Sequence, residues 1–308
     1  MNPSSNPLSR IQTMAAPAAI VLWMAIGLVM LTGCRSLYVA EPVSPVESGH
    51  PVMRVAHRGG AGIAPENTLA AFAAGLSQDI DALEMDVHLS KDGVLMVMHD
   101  PLLKRTTGQP GEIGDYDAAT LSGFDAAVAF TGPTSYGRQA IPTLEQVLDL
   151  VAERADRPIV LQIEIKLKND GSRYPQLEEK LVQTLREHAM VASSIIISFD
   201  FPSLVRIQEL EPSLKTGALI SKKYFSSIGV GGPKAVANEM AALGVDYAAV
   251  NYTYLTASLY RELRSRSLGV GVWTVNDPDT MRRLAALGVD FITSDRPDVL
   301  GQVFASKI

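Results

Sequence analysis

From residue 52 onward, short runs rich in β-branched residues alternate with longer amphipathic stretches. The short runs are typical of β-strands and cover residues 52–57, 82–89, 94–99, 159–166, 194–199, 215–220, 246–252, 269–276 and 290–294. The longer stretches repeat apolar positions at helical spacing and cover residues 68–78, 143–154, 176–190, 202–210, 233–243, 257–268 and 278–287. This alternation predicts βαβ units around a parallel sheet, and their number predicts an α/β fold, the TIM (β/α)8 barrel.

One connection between strands lacks a helix. The sequence Ser-Lys-Asp-Gly at 90–93 separates the second run from the third, and it is a tight-turn signature. The two runs are therefore predicted to form a β-hairpin. A turn centred on Lys91 and Asp92 would place Glu84 roughly opposite His99.

Residues 103–140 interrupt the alternation, since they are weakly periodic and rich in Gly, Thr and Asp. We interpret them as a small insertion after the hairpin strand that ends at His99. In a barrel this connection belongs to a βα loop, so the insertion is expected at the rim of the mouth where active sites lie.

Residues 15–33 form an uncharged apolar stretch preceded by Arg10. Such a stretch is typical either of a transmembrane helix or of a secretory signal. The only cysteine of the chain follows it, in the sequence Leu-Thr-Gly-Cys at 31–34, which resembles the bacterial lipobox. The lipobox implies cleavage before Cys34 and lipid attachment to its thiol, so this interpretation is favoured over an uncleaved signal-anchor helix.

The predicted organisation is a lipoprotein signal peptide at 1–33, a lipidated Cys34 with a Pro- and Ser-rich tether at 34–51, and a barrel domain at 52–308. A lipid anchor would hold the body at a membrane, facing the periplasm or the cell exterior. Arg35 follows the cysteine, where an Asp would retain many Gram-negative lipoproteins in the inner membrane. The outer membrane is therefore favoured if the source is Gram-negative.

The composition of the 308-residue chain supports this division. Charged residues make up 19%, below the roughly 25% typical of soluble domains. The deficit is local, because the charged side chains before residue 52 are only Arg10, Arg35, Glu41 and Glu47. A net charge of −6 argues against a nucleic-acid partner, and a single cysteine excludes an intrachain disulfide framework.

Polar residues stand at the C-terminal ends of several strand candidates, which converge on one mouth in a barrel. Glu84 and Asp86 lie two apart on a strand, so both carboxylates face the same side. Two buried acids repel each other unless a cation neutralises them. Ion pairs with Arg58 and Lys166 are one interpretation. Glu164 adds a third acid at another strand end, which favours a divalent cation, Ca²⁺ or Mg²⁺, over ion pairs alone.

Two histidines, His57 and His99, close strands that should point into the same mouth. Two histidines beside a carboxylate cluster are typical of a general acid and a general base. Arg58 and Lys166 add fixed positive charge, as a phosphate group or its transition state requires. The set predicts metal-assisted phosphoryl transfer. For the other three histidines a surface or loop position is expected: His50, His88 and His188.

Several motifs together resemble those of the glycerophosphodiester phosphodiesterases. They are His57-Arg58-Gly59-Gly60, Pro65-Glu66-Asn67-Thr68, Glu84-Met85-Asp86-Val87, Ser90-Lys91-Asp92-Gly93, Val97-Met98-His99-Asp100, Glu164-Ile165-Lys166 and Trp273-Thr274-Val275-Asn276. Each motif alone is weak evidence, but their shared order from about residue 52 to residue 300 is highly specific.

The resemblance implies a TIM barrel with a small inserted region, which agrees with residues 103–140. It implies one divalent metal ion on Glu84, Asp86 and Glu164, and acid–base catalysis by His57 and His99. Phosphate would bind to Arg58 with help from Lys166. Glu66 would orient Arg58 or contact the metal region, and Trp273 would wall the pocket near the glycerol or the leaving group.

The activity implied by the resemblance is hydrolysis of a glycerophosphodiester to sn-glycerol 3-phosphate and an alcohol, in glycerophospholipid degradation. The nucleophile, water or the substrate's 2-hydroxyl, and the roles of the two histidines stay open. Two alternatives are a lysophospholipase D or sphingomyelinase D type of phosphodiesterase and a non-catalytic lipoprotein that binds phosphodiesters. The expected partners are the small-molecule substrate and, through Cys34, the membrane. No oligomeric state is predicted.

Overall fold

The computed structural model describes residues 52–132, 134–227 and 231–305. The predicted signal peptide, Cys34 and the tether lie outside these residues. Within the described ranges, no helix is both long enough and apolar enough to cross a membrane.

The described residues form one sheet of nine strands. The strands are β1 (Met53–Ala56), β2 (Ala82–Leu89), β3 (Leu95–Val97), β4 (Val160–Ile165), β5 (Ser194–Ser198), β6 (Lys215–Ile220), β7 (Tyr247–Asn251), β8 (Gly269–Trp273) and β9 (Phe291–Ser294). Their order is β1-β9-β8-β7-β6-β5-β4-β2-β3, and β1 also pairs with β2. Eight parallel strands therefore close into a barrel, while β3 lies outside it as an antiparallel partner of β2. The predicted TIM barrel is confirmed.

The helices around the barrel include every predicted one, with ends shifted by a few residues. They are α1 (Leu69–Leu76), α2 (Lys104–Thr107), α3 (Ala118–Leu121), α4 (Leu144–Arg154), α5 (Leu177–Glu187), α6 (Phe201–Leu210), α7 (Lys222–Ser227), α8 (Gly232–Ala242), α9 (Ala257–Arg264), α10 (Pro278–Leu287) and α11 (Pro297–Phe304). Side-chain caps start several of them; for example, the Thr143 hydroxyl accepts a hydrogen bond from the Gln146 N–H at α4 (3.2 Å). The short α11, which contains Gly301, was not predicted.

The predicted hairpin forms, but its register differs by one residue from the prediction. His88 pairs with Met96, which centres the turn on Asp92. Gly93 adopts a left-handed backbone (φ 78°), so three residues rather than two form the turn. His99 lies beyond the end of β3, and its expected position roughly opposite Glu84 is off by one residue.

The insertion after β3 packs on the hairpin through a small apolar core of its own. This core contains Met96, Met98, Leu103, Ile113, Leu121, Ala126 and Ile141, all of them buried. Met98 and Leu103 belong to this core and lie on either side of His99 and Asp100 in the chain. The insertion therefore fixes the backbone just before and just after these two residues.

The two-residue period of the strands divides the barrel into an outer and an inner apolar layer. The inner layer is built by Val55, Ala82, Ile195, Ile197, Leu219, Ala249 and Phe291. Gly271 leaves room for it, since a Cβ there would overlap the ring of Phe291. Above this floor, the inward positions of β2, β4 and β9 are polar, namely Glu84, Asp86, Gln162, Glu164 and Thr293.

Candidate active site

The loop after β1 carries the first two site residues. His57–Gly59 form a single 3₁₀ turn in which Arg58 has a left-handed backbone (φ 51°, ψ 36°), which is uncommon for a residue with a side chain. The Asn67 N–H donates to the Arg58 carbonyl (3.0 Å), and the Arg58 N–H donates to Oε2 of Glu84 (2.8 Å). These bonds hold a strained backbone of the kind that concentrates at functional sites.

Three carboxylates lie together on the inner faces of β2 and β4. The strand register sets Asp86 beside Glu164, with Glu84 one layer deeper. All three side chains are buried, and one oxygen from each lies within 4.8 Å of the others. The predicted acidic cluster is therefore assembled by the fold.

Lys166 and Arg58 bring two positive charges to this cluster. Nζ of Lys166 lies 2.6 Å from Oε1 of Glu164 and 2.9 Å from Oδ1 of Asp86. Nε of Arg58 lies 3.6 Å from Oδ2 of Asp86, and Nδ2 of Asn67 donates to the same oxygen (2.7 Å). The ion pairs considered as the alternative to a metal site are present, but two cations serve three carboxylates.

The positive charges of Arg58 and Lys166 do not act equally on the three carboxylates. Burial and the charges of Asp86 and Glu164 raise the pKa of Glu84 well above its usual range. Burial also raises the pKa of Glu164, to about 7, although Lys166 opposes this. At Asp86 burial opposes ionisation, but Lys166 and Arg58 prevail and hold the pKa well below its usual range. The fold therefore disfavours the ionised form of Glu84 unless a further cation is present.

The donor set fits a hard divalent cation. Three carboxylates without a cysteine or histidine suit Ca²⁺ or Mg²⁺. In the described part of the chain, both amide atoms of Gln162 are buried without a hydrogen-bond partner. Gln162 lines the same cavity as Glu84 and Glu164. Buried polar atoms in native proteins normally have partners, and a hydrated cation would supply them here.

His57 is held by a carboxylate at the mouth of the barrel. Its Nδ1 lies 2.6 Å from Oδ1 of Asp295, just after β9, and Asn276 donates to the other oxygen of Asp295 (2.8 Å). Because an ionised carboxylate only accepts hydrogen bonds, Nδ1 carries the proton and Nε2 stays free. Nε2 lies 3.8 Å from Oε2 of Glu84, so the imidazole borders the acidic cluster.

His99 has a similar arrangement on a different loop. Its Nδ1 lies 2.6 Å from Oδ1 of Asp100, and Nε of Arg105 donates to Oδ2 of Asp100 (2.6 Å). Burial lowers the pKa of His99, although Asp100 opposes this. Both histidines line one cavity. Each can exchange a proton through Nε2 while its carboxylate holds the ring.

Arg105, from the insertion, and Arg58 both bind the carboxylate of Glu66. Nη1 of Arg58 donates to Oε1 of Glu66 (3.0 Å). Arg105 donates to both oxygens of the same carboxylate, from Nη1 to Oε2 (2.9 Å) and from Nη2 to Oε1 (2.6 Å). These contacts favour the first of the two roles implied for Glu66, the orientation of Arg58.

Aromatic side chains form the opposite wall of the cavity. The indole of Trp273 donates from Nε1 to the Ala249 carbonyl (2.8 Å), which fixes the ring at the end of β8. The ring of Phe199 stands edge-on to it, with centroids 5.5 Å apart. Phe199 is 44% exposed, so an apolar surface faces the solvent at the mouth.

His88 is not at the surface or in a loop, as expected, but fully buried in β2. Its Nε2 donates to the His99 carbonyl (3.1 Å), and its Nδ1 accepts from the Tyr174 hydroxyl (3.0 Å). Burial lowers the pKa of His88 to about 4. A neutral imidazole therefore supports the backbone of His99. His188 is half-buried, and His50 lies outside the described residues.

Some of these contacts carry a sequence signal and some do not. Asp100 and Asp295 directly follow the predicted strand runs 94–99 and 290–294, which places them at the mouth but does not show which histidine each one binds. Gln162 lies two residues before Glu164, so the strand period places both on one face. No periodic pattern marks Arg105, because its contacts depend on how the insertion folds back over the barrel.

Comparison with known proteins relates the chain to one family. The model of the glycerophosphoryl diester phosphodiesterase family matches residues 57–299. A glycerophosphodiester phosphodiesterase of Bacillus subtilis (strain 168) is 31% identical over 283 residues, covering 86% of this chain and 92% of the relative. One of Caldanaerobacter subterraneus subsp. tengcongensis is 32% identical over 246 residues, covering 80% and 95%.

A solved structure is similar to this chain over most of its length. An Oleispira antarctica phosphodiesterase, in complex with the product sn-glycerol-3-phosphate, superimposes with a TM-score of 0.70 at 27% identity. The match covers 82% of this chain and 97% of the Oleispira chain.

The buried neutral state of His88 predicts a pH dependence of stability. Between the unfolded pKa of about 6.5 and the folded value of about 4, the unfolded state binds more protons, so stability falls as the pH falls. From pH 7.5 to pH 5.0 this effect should cost about 2 kcal/mol. His88→Gln keeps a donor and an acceptor but does not titrate. Between pH 7.5 and pH 5.0, the free energy of unfolding of this variant, measured in urea, should therefore fall by about 2 kcal/mol less than that of the wild type.

The matched control is His188→Gln, which removes a half-buried histidine at the end of α5. It should keep the pH dependence of the wild type. Equal pH dependence in His88→Gln and the wild type would show that His88 is not held neutral.

Proposed function

This chain belongs to the glycerophosphoryl diester phosphodiesterase family, and we propose that it hydrolyses glycerophosphodiesters to sn-glycerol 3-phosphate and an alcohol. The observation that carries the proposal is the pair of carboxylate-held histidines facing one cavity, which Glu84 and Glu164 of the buried three-carboxylate cluster also line. It supports the proposal because two proton-transfer groups would then border a site for a divalent cation and a phosphate. Degradation of glycerophospholipids is the metabolic context that we propose for it.

Glu84, Asp86 and Glu164 would hold the divalent cation, Ca²⁺ or Mg²⁺. A bound cation supplies positive charge that polarises a phosphoryl oxygen and stabilises the charge that develops on it. Glu84 supports this assignment most directly, because among the described residues no lysine or arginine side chain forms an ion pair with it, and Nε2 of His57 lies 3.8 Å from its Oε2. A group that must otherwise be protonated is a natural ligand for an additional positive charge.

Proton transfer would run through the two histidines. One Nε2 accepts the proton of the attacking hydroxyl as its oxygen bonds to phosphorus. The other Nε2 donates a proton to the alcohol oxygen as its bond to phosphorus breaks. Asp295 and Asp100 keep each ring in the tautomer that leaves Nε2 free and stabilise the imidazolium form, which is the role of a carboxylate on Nδ1.

Arg58 and Lys166 would bind the phosphate oxygens. Their side chains are 17% and 12% exposed, so the cavity wall shields their charges from solvent and strengthens their action on an anion. Glu66 fixes the guanidinium of Arg58 in place. Trp273 and Phe199 would pack against the apolar parts of the substrate on the other side.

A substrate panel tests the activity. We expect the purified protein to release sn-glycerol 3-phosphate from glycerophosphocholine, to lose turnover in EDTA, and to regain it with Ca²⁺ or Mg²⁺. Preferred turnover of lysophosphatidylcholine would instead favour a lysophospholipase D. Binding of phosphodiesters without turnover in any divalent cation would favour a binding lipoprotein.

Substitution of the two histidines tests the mechanism. His57→Ala and His99→Ala should each lower kcat on glycerophosphocholine by about 10² to 10⁴-fold, the usual contribution of a general acid or base. Binding of Ca²⁺, measured by isothermal titration calorimetry, should be retained because the three carboxylates are unchanged. His188→Ala is the control and should keep wild-type turnover. Near wild-type rates in either active-site variant would refute the assignment.

The lipid anchor at Cys34 stays a proposal, with the body outside the cytoplasm and, in a Gram-negative host, at the outer membrane. Expression of the full chain in a bacterial host with labelled palmitate tests it. We expect the wild type to incorporate label and to lose residues 1–33 by intact mass, whereas Cys34→Ser should do neither. A wild-type protein that keeps residues 1–33 without label would instead be a signal-anchored one.

A further inference from the structure

We propose that Arg105 is a positioning residue that couples the acid–base histidine His99 to the phosphate-binding Arg58. The inference rests on the proposed function and extends it to the insertion, which supplies Arg105 on α2. It assigns to the insertion a direct part in holding both halves of the catalytic machinery.

The guanidinium of Arg105 joins two carboxylates. On one side, Nε donates to Oδ2 of Asp100 (2.6 Å), whose other oxygen holds Nδ1 of His99 (2.6 Å). On the other side, Nη1 and Nη2 donate to the two oxygens of Glu66 (2.9 and 2.6 Å). Oε1 of Glu66 in turn accepts from Nη1 of Arg58 (3.0 Å). A continuous chain of charged hydrogen bonds therefore runs from His99 to Arg58.

Both carboxylates in this chain are ionised. Burial opposes ionisation of Glu66, but its bonds to Arg105 and the charge of Arg58 hold its pKa below the usual range. The bond to His99 lowers the pKa of Asp100 well below its usual range, and Arg105 adds to this effect against burial. Ionised carboxylates act only as acceptors, so they orient the donors of His99 and Arg58.

The two histidine–carboxylate pairs differ in what holds the carboxylate. Asp295 of the His57 pair accepts from the neutral amide of Asn276, whereas Asp100 of the His99 pair accepts from the cation Arg105. A cation on Asp100 reduces the pull of that carboxylate on the imidazole proton. Loss of Arg105 should therefore loosen the orientation of the His99 imidazole and favour its protonated form.

Arginine suits this position because its planar fork can serve two carboxylates on different edges, which a lysine ammonium cannot do in the same geometry. The side chain of Arg105 is 44% exposed. Ion pairs this exposed contribute only about 0 to 1 kcal/mol to stability. The network should therefore affect catalytic geometry much more than the free energy of unfolding.

Arg105→Gln and Arg105→Lys test the proposal in the full chain, with glycerophosphocholine and saturating Ca²⁺. Arg105→Gln should lower kcat/KM by about 100-fold, the scale of a small misplacement of reacting groups. Its Tm should move by no more than about 4 °C. Arg105→Lys keeps the charge without the fork and should recover only part of the loss.

Single-arm variants separate the two effects. Glu66→Gln releases Arg58 and should mainly raise KM, whereas Asp100→Asn releases His99 and should mainly lower kcat. If Arg105 serves both arms, adding Arg105→Gln to Glu66→Gln should still lower kcat, and adding it to Asp100→Asn should still raise KM.

The matched control is Arg138→Gln. Arg138 also belongs to the insertion, but its guanidinium donates to the backbone carbonyls of Ser122 and Gly123. It should leave kcat and KM unchanged. Wild-type kinetics in Arg105→Gln, or a loss of activity explained fully by a loss of folded protein, would overturn the proposal.

A titration of the histidine ring by NMR provides a readout that needs no turnover. Asp100, Asp86, Lys166 and Arg58 all act on His99, and none of them is substituted in Arg105→Gln or in Arg138→Gln. The pKa of His99 should rise in Arg105→Gln and stay at the wild-type value in Arg138→Gln. An unchanged value in Arg105→Gln would refute the coupling. Absence of turnover in the wild type would refute only the proposed function.

Discussion

The site depends on one constraint, the burial of three carboxylates at one end of the barrel. Glu84, Asp86 and Glu164 are 2%, 0% and 7% exposed. Like charges this close in a medium of low dielectric constant repel each other and lose their hydration. Ion pairs seldom repay such burial in full, so apolar side chains in the same positions would give a more stable barrel. The cluster therefore indicates a functional requirement rather than a structural one.

Much of the surrounding polar structure follows from this constraint. The left-handed backbone of Arg58 lets one residue act twice, with its N–H on Glu84 and its guanidinium near Asp86. Lys166 lies two residues beyond Glu164, just past the end of β4, and reaches two of the three carboxylates. These contacts still leave one carboxylate without a cation. The same geometry that stabilises the folded state thus leaves a place for a divalent ion.

The barrel and most of the site could be predicted because both depend on local periodicity. A strand period of two places Glu84 and Asp86 on one face whatever surrounds them, and parallel strands bring Glu164 to the same end. The predicted hairpin register is off by one residue because Gly93 adopts a left-handed backbone and adds a third residue to the turn. The Ser-Lys-Asp-Gly pattern does not show whether the turn has two or three residues. His88 was placed wrongly, since the burial of the last inward position of β2 depends on Tyr174 from a distant loop.

The contacts of Arg105 could not be predicted for a different reason, and this reason bears on how the site is built. His57 and Asp295 follow β1 and β9, which are paired neighbours, so the barrel itself fixes that pair. His99, Asp100 and Arg105 lie on the segment that leaves the hairpin, beyond the end of β3, where β2 holds His99 through the bond from His88 to its carbonyl. Met98 and Leu103 are buried in the small core of the insertion on either side of the first two. The packing of that core therefore helps to set the position of one of the two proton-transfer groups, and the insertion is part of the catalytic scaffold as well as its rim.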